Sequence, residues 1–180
     1  MNFYKDYFEL LHDKIAGVDH QLLDKAVAMI KTTIKNERKL IIVGNGGSAA
    51  MASHVAVDLT KNAATRAINF NEADLLTCFA NDYGYEHWVS QAFKFYADKG
   101  DLAILISSSG SSKNIINGAN TAKELGLGII TFSGFNSDNP LRKCGDLNFF
   151  VDSKGYNIVE MSHHVWLLAI VDRIIGKIEY

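Results

Sequence analysis

Leu40-Ile41-Ile42-Val43 runs directly into Gly44-Asn45-Gly46-Gly47-Ser48, and a helix-forming stretch, Ala49 to Lys61, follows at once. Four apolar, β-favouring residues predict a buried strand. The glycines allow a tight turn and a close backbone approach to a ligand. Ser48 is placed to cap the helix that follows. A strand, a glycine turn and a helix start make an anion site, because free N–H groups and the helix dipole both favour negative charge. A phosphate is the expected guest.

The rest of the chain repeats that alternation. Asn2 to Ala16 has helical spacing in Phe3, Tyr7, Leu10, Leu11 and Ile15. Asp19 can cap a second helix reaching Asn36. Two amphipathic helices before the first strand exceed what a nucleotide-type domain needs. They would cover either a partner subunit or their own sheet. Thr65 to Phe70 reads as a second strand, Asp74 to Ala80 as a short helix or turn, and Glu86 to Ala97 as a longer helix. Leu102 to Ile106 is a clean buried strand, followed by a polar loop, Ser107 to Ser112, and a helix to Leu125. Gly128 to Phe132 and Leu147 to Val151 complete the strands, and a terminal helix runs from Asn157 to Lys177.

Strands alternating with helices predict a three-layer α/β sandwich. Its five-stranded parallel sheet has flavodoxin-like order, with ligands at the carboxyl ends of the strands. The expected organisation is one domain over 1–180, with leading helices 1–36 and an α/β core 37–180.

Composition narrows the function classes. The net charge of -2 gives no reason to expect nucleic acid. No apolar run is long enough to span a bilayer, and Met1 to Asp6 lacks a signal-peptide core. Cys78 and Cys144 are too far apart for a CxxC site and read as buried thiols, which fits a reducing cytoplasm. Trp88 and Trp166 read as core or interface.

Gly44-x-Gly46-x-x-Ala49 matches a loose dinucleotide fingerprint. The acidic ribose ligand should end a second strand about 20 residues on, whereas Asp58 falls too early and inside a helix. No nucleotide cofactor is expected. Ser107-Ser108-Ser109-Gly110-Ser111-Ser112 also follows a buried strand and opens a helix. Its hydroxyls and the helix N–H groups can surround a single phosphate.

With both loops in hand, the chain resembles the sugar isomerase (SIS) domain family, most closely its phosphoheptose isomerase branch. Gly44 to Ser48, His54, Asp58, Asn81-Asp82-Tyr83-Gly84-Tyr85, Ile106 to Ser112 and Glu160-x-x-His163 carry the likeness. The resemblance implies a phosphorylated-sugar substrate and a homo-oligomer, a tetramer in that branch, with active sites at subunit contacts. It implies phosphate binding by Ser107, Ser109 and Ser112, with Ser108 in the same loop. Asn45, Gly46, Gly47 and Ser48 would lie near the sugar, and Asn81 and Asp82 would line it. Some members hold zinc between a histidine and glutamate of the first core helix and a glutamine and histidine of the last.

This sequence departs from that pattern. His54 is kept, Asp58 stands for the catalytic glutamate and Glu160 for the glutamine, and Leu168 occupies the place of the catalytic histidine. His164 lies one turn short of it, on the same stripe as Glu160. His54 and Asp58 share one helix face, as do Glu160 and His164. The expectation is that these four converge, either as a zinc site or as an acid–base pair with Asp58 as base and His164 as partner. The reading is aldose–ketose isomerisation of a sugar phosphate such as sedoheptulose 7-phosphate. The alternative is a non-catalytic SIS protein that senses sugar phosphate or serves assembly, as in the family's replication-initiator-associating branch. A nicotinamide dehydrogenase would leave the serine loop unexplained.

Overall fold

β1 (Leu40–Val43) and β3 (Leu102–Ser107) form the centre of a parallel sheet. This computed structural model describes residues 2–179. β2 (Ala67–Ile68) flanks β1, and β4 (Gly128–Gly134) and β5 (Leu147–Val151) extend the other side, giving the order β2-β1-β3-β4-β5. Every pairing is parallel. The expected flavodoxin-like sheet is therefore observed, and its strand order reverses between β1 and β3.

Side-chain alternation divides the core into two faces. Leu40, Ile42, Leu102, Ile104 and Ile106 point to one side, and Ile41, Val43, Ala103 and Leu105 to the other. The first face is covered by α2 (His20–Lys35), α3 (Gly47–Asn62) and α7 (Tyr156–Ile175). The second is covered by α4 (Ala73–Tyr83), α5 (Trp88–Tyr96) and α6 (Lys113–Glu124). Both faces of the central strands β1 and β3 are covered, so these two can be near-continuous apolar runs. Truncating a fully buried residue such as Ile104 to alanine should cost about 2–5 kcal/mol.

Of the two leading helices, only α2 packs fully on its own sheet. α2 buries Ala26, Val27 and Ile30 against its own sheet. α1 (Phe3–Ala16) buries no residue completely. It is tied to α7 by the Trp166 indole N–H, which donates to the Ile15 carbonyl at 2.9 Å. Phe3, Tyr4 and Phe8 stay exposed. Trp88 and Trp166 are both buried, as expected of core residues.

Four local expectations need correction. β2 is only Ala67–Ile68, because Asn69 and Asn71 turn the chain into side-chain hydrogen bonds instead of a ladder. α3 begins at Gly47, with Gly46 as its N-cap, so Ser48 lies within the first turn rather than capping it. The segment from Ala73 is a full helix to Tyr83, longer than the short helix or turn expected to end at Ala80, so Asn81 and Asp82 lie in its last turn. Cys78 is exposed on α4 with its thiol directed to the Asp82 carboxylate, and Cys144 is half-buried, so neither is a fully buried thiol. Among the described residues no helix is long and apolar enough to cross a membrane.

Candidate active site

The β1–α3 and β3–α6 connections leave adjacent strands at their carboxyl ends, where open α/β sheets bind ligands. Each connection is shaped by glycine. A Cβ on Gly44 would lie 2.6 Å from the Ser48 backbone carbon, so only glycine allows the turn to close onto α3. Gly46 has φ 55, in the left-handed region that favours glycine. In the serine loop Gly110 has φ 64, and a Cβ there would overlap the Asn139 side chain.

Asparagines lock the two loops together. Asn45 Nδ2 donates to Asn114 Oδ1 at 3.0 Å, and Asn114 Nδ2 donates back to Asn45 Oδ1 at 2.8 Å. The Tyr85 hydroxyl adds a third bond, to Asn45 Oδ1, at 3.1 Å. Neither Asn114 nor Tyr85 was among the expected site residues. The signal for Asn114 was available, since it is the second residue of a helix that opens on the phosphate loop.

Between the loops lies a cavity of about 270 Å³, lined by Asn45, Gly46, Gly47, Ser48, Ile106, Ser107, Ser108, Ser109, Ser112, Tyr156 and Glu160. Eight of the ten expected sugar and phosphate residues are among them; Asn81 and Asp82 are not. Asn81 instead donates to Asp82 at 2.9 Å on α4. The Ser107 hydroxyl donates to Ser112 Oγ at 3.0 Å, and Ser109 Oγ accepts the Ser111 N–H at 3.2 Å. The α6 N-cap, Ser112, makes no side-chain cap bond of its own. The first N–H groups of α6 therefore have no side-chain acceptor from the cap, and an incoming anion can take them.

The α3 end of the cavity differs from its expected role as a phosphate cradle. The Glu160 carboxylate, reaching in from α7, occupies the space a Cβ on Gly47 would need, with its Cδ 3.0 Å from that point. Its Oε1 accepts from the Ser108 hydroxyl at 3.4 Å. A carboxylate of the protein thus stands at the α3 N-terminus.

Farther along the same two helices lies a second cluster. His54 Nε2 and Asp58 Oδ2 are 3.3 Å apart, and His54 Nδ1 and His164 Nε2 are 3.0 Å apart. Burial, and then the neighbouring His54, hold His164 below the usual histidine range, with Asp58 opposing the shift. The four residues expected to converge therefore separate. Glu160 belongs to the cavity, and His54, Asp58 and His164 form a line beyond it. Helix rise explains the gap, since Asp58 is about 16 Å along α3 from Gly47. Among the described residues no three His, Cys, Asp or Glu side chains group as a metal site. These four side chains do not form one zinc ligand set within a single copy of the chain.

His163, beside His164, points inward. It is fully buried, its Nε2 lies 3.0 Å from the Ser133 carbonyl, and its Nδ1 has no partner. Burial pushes its pKa down to about 4, against the opposing bond to Ser133.

The family profile described as the SIS domain matches residues 3–134. The chain belongs to the SIS domain family. Among relatives it is 35% identical over 147 residues to the phosphoheptose isomerase of Campylobacter concisus, covering 78% of this chain and 77% of that one. It is 34% identical over 156 residues to the phosphoheptose isomerase of Aliarcobacter butzleri, covering 83% and 82%. Solved phosphoheptose isomerases share the SIS fold. That of Neisseria gonorrhoeae superposes with a TM-score of 0.88 at 24% identity, over 96% of each chain. That of Francisella tularensis gives 0.89 at 22%, over 97% of each.

Proposed function

We propose that this SIS protein is a phosphosugar isomerase that interconverts the ketose and aldose forms of a sugar phosphate, such as sedoheptulose 7-phosphate. The observation that carries this reading is the pairing of the serine loop with the β1–α3 turn across one cavity, in a chain whose relatives bear the name phosphoheptose isomerase. The serine hydroxyls and the α6 N-terminus suit a phosphate without a bulky cation. Asn45, Ser48 and the backbone of Gly46 and Gly47 suit the hydroxyls of the sugar. The isomerisation moves one proton between adjacent carbons through an enediol, so it needs acid–base groups and no redox cofactor.

His164, with His54 and Asp58 beside it, lies outside the cavity lining and is our candidate for exchanging protons with the water that serves the sugar oxygens. It lies one turn, about 6 Å, beyond Glu160 on α7. Because the His54 side chain at the middle of this line is half-exposed, a neighbouring copy would complete the line. We therefore include in the proposal a homo-oligomer, a tetramer by analogy with the isomerase branch, working in the cytoplasm. The exposed aromatic face of α1 is the contact surface that supports it.

A non-catalytic sugar-phosphate sensor is the second reading, and one observation favours it. Leu168, at the place where the resemblance puts a catalytic histidine, packs against the core and carries no proton. A turnover assay separates the two readings. Conversion of sedoheptulose 7-phosphate, with no conversion of the unphosphorylated sugar, is the isomerase outcome. Tight binding without conversion is the sensor outcome.

A further inference from the structure

We infer that Glu160, rather than Asp58, is the base that removes the proton from the sugar carbon. This rests on the isomerase reading above and names the group that performs its central step.

Three observations support the assignment. First, Glu160 is the carboxylate among the residues lining the cavity, and Asp58, His54 and His164 are not among them. A base must lie within hydrogen-bond reach of the proton it takes, or one water away. Asp58 is instead directed at His54, 3.3 Å away. Second, Gly47 is fitted to Glu160. Its missing side chain leaves the room in which the carboxylate sits, with Oε1 3.2 Å from the position a Cβ would take. Third, the α3 and α6 starts that follow the two loops both face the cavity, and Glu160 makes those two ends unequal. α3 has no acidic residue in its own first turn and no side-chain cap bond. Glu160 supplies the negative group that its dipole favours. A substrate phosphate brought to that end would meet a like charge. At the α6 end it meets Ser107, Ser109, Ser112 and an N-terminus without a side-chain acceptor at the cap. Phosphate is therefore directed to α6, and the reactive carbons to α3 and Glu160.

The step balances without a co-reactant. Glu160 takes the proton from C1 of the ketose. The C1–H electron pair becomes the C1–C2 double bond, and the carbonyl pair moves to O2, which takes a proton from a hydroxyl or water in the cavity. Glu160 returns its proton to C2 while the hydroxyl on C1 gives its proton back to the group that protonated O2, which leaves the aldehyde at C1 and restores that group. No atom is lost and nothing is oxidised overall.

The test compares wild type with Glu160→Gln and Asp58→Asn. Glutamine preserves the shape of Glu160 against Gly47 and its contact with Ser108, so folding is retained, and a melting curve checks it. With sedoheptulose 7-phosphate, Glu160→Gln should lose about 10²–10⁴-fold in kcat with substrate affinity, measured by calorimetry, within a few-fold of wild type. In deuterium oxide its hydrogen exchange into bound substrate should fall by the same factor. Asp58→Asn should retain carbon–hydrogen exchange far above the level of Glu160→Gln. If Glu160→Gln keeps kcat within about threefold of an active wild type, or if Asp58→Asn is the variant that loses exchange, the assignment is wrong while the isomerase reading stands. If wild type binds the sugar phosphate and exchanges no hydrogen, the isomerase reading fails and takes the assignment with it.

Discussion

His164 Nε2 stands 3.0 Å from His54 Nδ1, joining helices whose contact residues are 110 positions apart. One proton is shared across that contact. Asp58 Oδ2 lies 3.3 Å from His54 Nε2, on the far side of that ring, so a carboxylate backs the contact between the two imidazoles.

The line predicts the titration of His164. Burial and His54 depress its pKa, and Asp58 raises it. Histidine ring resonances followed by NMR against pH should place His164 below the usual histidine range. His54→Ala should move it upward by removing the neighbouring ring. Asp58→Asn should move it further down. An unshifted His164 in Asp58→Asn would break the proposed coupling.

The serine loop predicts affinity. Hydrogen bonds to a charged group contribute about 1.5–3 kcal/mol each. Replacing Ser109 and Ser112 together by alanine should weaken sugar-phosphate binding about 100-fold or more. Both positions are loop or cap residues outside the core, so the melting temperature should barely change. Unchanged affinity in calorimetry would move the phosphate elsewhere.

His163 predicts a pH dependence of stability. Its folded pKa is depressed to about 4, below the usual value of 6.5. Between those values the unfolded chain binds more protons than the folded one, so stability rises with pH. The contribution is full above pH 6.5 and is lost as pH falls toward 4; it amounts to roughly 3 kcal/mol. Urea titrations from pH 7 to 4 should show that loss in wild type and a flatter profile in His163→Gln. Parallel profiles would contradict a buried neutral His163.

Much of this was legible in the residues themselves. The continuous burial of β1 and β3, the two loops and the shared helix face of His54 and Asp58 follow from residue type and spacing alone. The destination of Glu160 did not. Its spacing of four from His164 places both on one helix stripe, but successive turns of that stripe face different neighbours. Gly47 draws Glu160 to the cavity, and His54 meets His164 a turn away. The helix read as Asp74 to Ala80 runs on through Asn81 and Asp82 to Tyr83, although an Asn-Asp pair favours a turn locally. β2 shortened because its flanking asparagines satisfy themselves through side chains, which alternation of apolar residues cannot reveal.

Assembly is predicted by α1. Phe3, Tyr4 and Phe8 expose aromatic rings along one helix. Light scattering of wild type should report an oligomer. Replacing Phe3 and Phe8 together by serine should lower the mass toward that of one chain, 19.9 kDa. A wild-type monomer at micromolar concentration would refute the contact.

Metal removal is predicted to be harmless, because Glu160 does not join His54, Asp58 and His164 as a ligand set. Activity should survive dialysis against a strong chelator. Loss that zinc restores would show that a metal centre forms when copies assemble.

The most direct test of the central claim is NMR of wild-type protein with sedoheptulose 7-phosphate in deuterium oxide. The account predicts conversion to the aldose 7-phosphate with deuterium at C2 of the product, because an enediol exchanges its carbon-bound proton with solvent through the base. Binding of the sugar phosphate with no conversion, and no deuterium in the recovered sugar, would contradict it.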